Sequence, residues 1–373
     1  MDHLLSRRAL LGAMPALALT GCAGIQASAT SGPRLYVDGL SFLPDDMQEV
    51  AASGLKAMIC DVSVVEEVRD PDGTPRYKRT FAANDKALDE AVARILASPG
   101  SFVARAGSDI DPARGCAMFL QLQSAEPVGQ DLSRIGHFHG KGLRVLQFTH
   151  HNNTDWAGGC LELQPIGLTP LGFEGLAELN RLGILADVAH GSEQTMLDAA
   201  KASRAPVVMS HGACRAIVDH PRCITDAAIK AIADRGGIVG IFMMSFWLTN
   251  APVPKPEHWV AHVRHVINKG GLDAVGIAND FPMAGQTNLV RLGNDNREGV
   301  KEYLEWWQAM RKLGLPGFAT DPEHVVIPEF NRIERVAVIE RTLEQAGFPG
   351  RHIDRIMGDN WRRLLRDVVG RPA

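Results

Sequence analysis

The stretch from Gly183 to His211 reads GILADVAHGSEQTMLDAAKASRAPVVMSH, and its pattern decides the fold. Each end is a short apolar run of strand length, and each run stops on a histidine, His190 and His211. Between them Ser192 is placed as a helix N-cap with Glu193 in the first turn, and Met196, Leu197, Ala200 and Ala202 offer packing positions. The segment therefore reads as a β-α-β unit with one histidine at the carboxyl end of each parallel strand. Ligands and catalytic groups converge at those ends in parallel α/β folds. Two histidines delivered there by adjacent strands can share one metal ion. The competing reading makes one a helix cap and the other a satisfied interior histidine, and the unit alone leaves both open.

Outward from this unit, short apolar runs alternate with helical patterns. Strands are expected at 35–38, 57–64, 117–122, 143–149, 184–189, 207–210, 238–243 and 274–278. Helices are expected at 84–97, 174–182, 192–202, 226–234 and 257–268. That alternation predicts an α/β fold, a (β/α)8 barrel, in preference to an open doubly wound sheet. Residues 297–369 are expected to be largely helical and to lie outside the barrel. No glycine-rich phosphate loop follows any strand, which removes the main evidence for a nucleotide cofactor.

Composition sets the outer limits. With 373 residues, 45% apolar and 22% charged, the chain has ample material for a large core. A net charge of −4 and the absence of a basic cluster argue against a nucleic-acid partner, and Arg362, Arg363 and Arg366 read as a solvated helix face. Residues 1–22 read as a targeting segment: Arg7-Arg8 precedes an apolar run from Ala9 to Thr20, too short to span a bilayer, which ends at Gly21-Cys22 like a lipobox. The expectation is an exported bacterial lipoprotein, membrane-anchored through lipidated Cys22 and facing the periplasm. Residues 23–33 would be the tether and 34–373 a single domain including the C-terminal helices. The alternative is a plain signal cleaved near Ala23 or Ala27. Cys60 and Cys116 read as buried thiols, while Cys214 and Cys223 flank a short loop where a disulfide is an option.

Several polar residues fall at strand ends or in the loops after them: His150 in QFTHHNNTDWA, His190, His211, Arg222 in DHPRC and Asp280 in GIANDF. Together with IMGDNWRRLL at 356–365, these stretches resemble the membrane (renal) dipeptidase family over nearly the whole chain beyond the targeting segment. The resemblance implies a (β/α)8 barrel, two zinc ions, hydrolysis of dipeptides and, as one option, a homodimer. Residue by residue it implies that His190 and His211 ligate the second zinc. His150 would polarise the scissile carbonyl, Arg222 would grip the substrate and Asp280 would shuttle a proton between water and leaving amine.

The sequence departs from that pattern at the first metal. Where the family carries D-G-H-x-D, this chain has Asp38-Gly39-Leu40-Ser41-Phe42, and the family's bridging glutamate falls on Gln123. Leucine and phenylalanine offer no lone pair, and glutamine cannot supply an anionic bridge. One zinc at most is therefore expected, held by His190, His211 and a third group taken from Gln123, Asp280 or Glu126. Two readings stay open: a one-metal hydrolase of a dipeptide-like amide, or a lapsed enzyme kept as a binding or tailoring protein. His258, His262 and His265 share one helical stretch but lack an H-E-x-x-H glutamate, so a structural role is expected. His137 and His139 precede a strand on its wrong side, and His151 and His220 read as supports for matched neighbours. Ser210 lacks a nucleophile elbow.

Overall fold

The computed structural model describes residues 34–69, 71, 73, 75–285, 307–309, 311, 312, 318, 321 and 325–373. The targeting segment, Cys22 and the tether lie outside these residues, as does much of the expected helical stretch from 297 to 324.

Eight parallel strands form the barrel: β1 (Val37–Phe42), β2 (Ala57–Asp61), β3 (Cys116–Leu122), β4 (Leu143–Gln147), β5 (Leu185–Asp187), β6 (Val208–Gly212), β7 (Ile238–Ile241) and β8 (Val275–Ile277). Each pairs with its neighbour in chain order. The ring closes where the Leu40 carbonyl, on β1, accepts from the N–H groups of Asn279 and Asp280 just past β8, at 3.1 and 2.9 Å. The expected (β/α)8 barrel is what the chain builds.

Side-chain alternation sorts each strand into two faces. On β2, Ala57 and Ile59 join the inner cluster while Met58 and Cys60 meet the outer helices; on β3, Ala117 and Phe119 point in while Met118, Leu120 and Leu122 point out. Continuing the inward series toward the carboxyl ends gives Asp61 after Ile59 and Gln121 and Gln123 after Phe119. The lower barrel is thus dry and the upper rim polar, which places chemistry at one end.

Helices start where the sequence provides a cap. Thr80, Thr169, Ser192 and Thr225 each accept a backbone N–H, opening α1 (Phe81–Leu96), α2 (Pro170–Leu182), α3 (Glu193–Ala202) and α4 (Asp226–Asp234). The expected helix 257–268 is α5 (Pro256–Gly270). Unforeseen elements are a short helix at Ser133–Lys141, a hairpin of Glu66–Arg69 with Pro75–Lys78, and a strand at Ser101–Val103 beside β3.

One expectation is corrected. The C-terminal α6 (Asn360–Val368) does not lie outside the barrel but plugs its amino-terminal end. Trp361, Leu364, Leu365 and Val368 belong to the same cluster as the inward residues Val37, Leu40, Ile59 and Phe119. The Trp361 indole donates to the Ile277 carbonyl at 2.9 Å and lies against Gly39 and Gly276, where an added Cβ would meet the ring at 2.2 Å. The apolar floor needed a cover, and an indole supplies more buried area than any other side chain.

The disulfide option is corrected too, since Cys214 and Cys223 are both free and buried. Their thiols point apart, Cys214 Sγ toward the His262 carbonyl and Cys223 Sγ toward that of Trp247, each at 3.7 Å. His262 is a satisfied structural histidine, accepting from Cys214 N–H and contacting the Leu248 carbonyl, both at 2.9 Å.

Candidate metal centre

His190 and His211 meet at the carboxyl end of the barrel with their Nε2 atoms 2.8 Å apart. What lies behind each ring fixes its tautomer. The Ser210 hydroxyl donates to the Asp187 carboxylate, which also accepts from Gln121 Nε2 at 2.7 Å and from Ser210 N–H at 3.0 Å. With its single proton so committed, Ser210 Oγ accepts from His211 Nδ1–H at 2.8 Å, which leaves a lone pair on His211 Nε2. His190 Nε2 accepts from Arg222 Nη2 at 3.1 Å, and a guanidinium can only donate, so that nitrogen also presents a lone pair. No proton lies between the two Nε2 atoms, so a cation there would take the His211 lone pair directly and the His190 lone pair once Arg222 Nη2 gives it up. His190 Nδ1, buried and without a partner, is the one open atom of the pair.

His150 and His151 complete the group. The His150 ring stacks on His190 with centroids 4.3 Å apart, and His151 lies 4.4 Å from both. Ligand atoms of His150, His151 and His190 all lie within 4.8 Å of one another. Burial is the main force holding all four imidazoles well below their ordinary protonation range. They are therefore neutral near pH 7, the form that ligates metals.

Backbone geometry aims these residues. Among the described residues, the non-glycine positions with positive φ are His151 (69°), His190 (63°) and Asp280 (55°), all at this site. Left-handed backbone costs a side-chain-bearing residue about 1–3 kcal/mol and persists where surroundings enforce it. Here the enforcing bonds are Cys160 N–H to the His190 carbonyl at 2.8 Å, Leu161 N–H to the His151 carbonyl at 3.0 Å, and Asp280 N–H to Leu40.

The group opens onto a cavity of about 370 Å³ lined by Asp61, Arg79, Gln123, His150, His190 and Asp280, with Phe42, Met244, Phe246 and Trp247 among its apolar wall. Burial raises Asp280 to about 7 against the opposing pull of Arg222, and raises Asp61 to about 6 against its bonds from Ser63. Gln123 faces this cavity with its Nε2 unpartnered. Leu40 is fully buried below it, and Phe42 lines it. Arg222 stands behind His190, fully buried, with Nη2 also donating to the His211 carbonyl at 3.2 Å and its plane near Phe242 and Trp247. Glu126 turns to Arg79 at 3.7 Å, away from the histidines.

The structure thus brings together His150, His190, His211, Asp280 and Gln123, with Arg222 one layer back. Sequence reasoning treated His151 as a support and gave no role to Asp61 or Arg79. The His-His dipeptide was the available signal for His151; nothing local marked the other two.

Comparison with known proteins agrees with this architecture. Residues 46–297 match the family model described as membrane dipeptidase (peptidase family M19). The chain is 35% identical over 259 residues to dipeptidase tcpJ of Claviceps purpurea, covering 68% of this chain and 51% of that protein, so it spans about half the length of that curated relative. An amidohydrolase from Pseudomonas aeruginosa superposes with a TM-score of 0.74 at 26% identity, covering 91% of this chain and 97% of the other. A metallo peptidase from Rhodobacter sphaeroides, solved with a phosphinate mimic of the dipeptide L-Ala-D-Ala, shares the fold with a TM-score of 0.68 at 18% identity, covering 90% and 99%.

Proposed function

The chain belongs to the membrane dipeptidase family, and from that premise we propose that it hydrolyses dipeptides or related small amides with a single zinc ion held by His190 and His211. The observation that carries this reading is the 2.8 Å approach of the His190 and His211 Nε2 atoms, neither of which carries a proton in the hydrogen-bond pattern around them. His151 is the third donor we assign, since its ring centroid lies 4.4 Å from that of His190 and ligand atoms of the two rings fall within 4.8 Å of each other. A bound zinc would supply Lewis acidity, lowering the pKa of a water to about 7.

The remaining work falls to the chain's own groups. Asp280, raised to about 7, is poised to take a proton from the attacking water and return it to the departing amine. His150, on the cavity wall, is placed to donate to the oxygen that becomes negative as the carbonyl is attacked. Arg222 holds the His211 backbone through that residue's carbonyl and adds positive charge behind the site. Phe42, Met244, Phe246 and Trp247 keep bulk water from the reacting atoms.

A non-catalytic binding or tailoring role is the second reading. Leu40 and Phe42 favour it, because they put carbon where the family pattern has metal ligands. Zinc analysis of the purified chain, followed by dipeptide hydrolysis with added zinc, separates the two. One zinc per chain and turnover that His211→Ala abolishes are expected; negligible zinc with no hydrolysis would sink the hydrolase. Export as a lipoprotein anchored at Cys22 belongs to the same proposal, and Cys22→Ser is expected to move the protein from the membrane fraction to the soluble one.

A further inference from the structure

We propose that Arg79 is the residue that selects an anionic ligand, its guanidinium taking the carboxylate of the dipeptide-like substrate. This inference rests on the reading of the cavity as a substrate site. Arg79 follows the Glu66–Arg69/Pro75–Lys78 hairpin and immediately precedes Thr80, the cap of α1, so its backbone is anchored on both sides. Its side chain is 15% exposed and lines the cavity shared by His150, His190 and Asp280. It also lines an adjoining polar cleft of about 540 Å³ with Lys78, Asn153 and Thr154.

Two observations single it out. First, its hydrogen-bonding capacity is only partly engaged, with Glu126 and Asp61 the carboxylates around it. Nε is buried without a partner, and the Glu126 carboxylate lies 3.7 Å away, beyond hydrogen-bond length. Five N–H donors in a planar fork suit a carboxylate, and here the fork faces space of a size that suits a small ligand. Second, Arg222, to which the family resemblance gives the gripping role, does not line that space. It is fully buried, with Nη2 spent on His190 and the His211 carbonyl. Much of the remaining wall is apolar, so a ligand carboxylate left without Arg79 would be stripped of water and uncompensated.

The test is calorimetric binding to the zinc-loaded full chain. The probe is the reduced-bond analogue of alanyl-alanine, in which CH2 replaces the carbonyl so that it cannot be hydrolysed, as free acid and as C-terminal amide. Wild type is expected to prefer the acid by roughly 10- to 100-fold, the range of a charge-assisted hydrogen-bonded pair. Arg79→Met should bring acid and amide within about twofold, by weakening only the acid, and Arg79→Lys should retain part of the preference. Thermal melting and zinc content of each variant establish that fold and centre persist. An undiminished preference in Arg79→Met, or no preference in wild type, overturns the inference. The lysine variant alone decides the matter if the methionine variant does not fold. Loss of preference at Arg79 in a protein that hydrolyses no dipeptide would sustain this inference while removing the proposed reaction. Hydrolysis by Arg79→Met with unchanged preference would do the reverse.

Discussion

The backbone carbonyl of Leu40 accepts from the N–H of Asp280 at 2.9 Å, across the seam where the barrel closes. The first strand thus serves the site through its main chain, fixing the left-handed turn that presents the Asp280 carboxylate. The side chain at position 40 takes no part in that bond and belongs to the dry core.

That separation makes a restored first metal site testable. The variant Leu40→His with Phe42→Asp and Gln123→Glu should raise zinc content from one to two per chain and increase dipeptide turnover. It should also lower stability by about 2 kcal/mol or more, because Leu40 is fully buried among apolar neighbours. Elemental analysis and urea denaturation read the two effects separately.

Ser210 links Asp187 to His211 Nδ1 and so determines which His211 nitrogen is bare. Ser210→Ala should weaken zinc binding about 10- to 100-fold, as loss of such supporting bonds does elsewhere. Competition with a chromophoric chelator measures it, and unchanged affinity would show that the tautomer is set in some other way.

Asp280 must be ionised to accept a proton, and burial places its pKa at about 7. The rate should therefore climb with pH and level off above about 7, falling roughly tenfold per unit below. Asp280→Asn should lower kcat at least about 100-fold while zinc content is kept.

Asp38 is buried, accepts from Leu40 N–H at 3.1 Å and Asn279 N–H at 2.8 Å, and burial raises it to about 7. A carboxyl with a folded pKa above its unfolded value favours folding most when protonated. Its contribution is therefore full below pH 4 and is lost as pH rises through 7, by up to about 1.4 kcal/mol per unit. Asp38→Asn should flatten that slope in urea midpoints measured between pH 4 and 7. The orphaned Asn279 Oδ1 is available to accept from the introduced amide.

Trp361→Ala should cost about 3–5 kcal/mol by opening a cavity beneath the barrel, with a corresponding fall in Tm. The site lies at the opposite end, so zinc stoichiometry should persist in the folded fraction.

Much of this was legible in sequence because β-branched runs and capping residues act locally. Helix α4 falls at Asp226–Asp234 as the pattern predicts, opened by Thr225. The sequence places the first strand at 35–38, yet β1 runs from Val37 through Phe42. Gly39 is there to admit Trp361, a partner more than three hundred positions away. Arg79 escaped notice for the same reason: it sits in a charged, unpatterned stretch, and only tertiary folding carries it to His150 and His190. The family pattern located His190, His211 and Asp280, but left-handed backbone at two of them is dictated by contacts that no spacing rule records.

The Trp361 plug also orders events in time. The apolar floor built by Val37, Ile59 and Phe119 has no cover until residues beyond 360 arrive. Every strand of the barrel precedes in sequence the residue that seals it, so the inner face stays open until the segment beyond 360 has been made and docked.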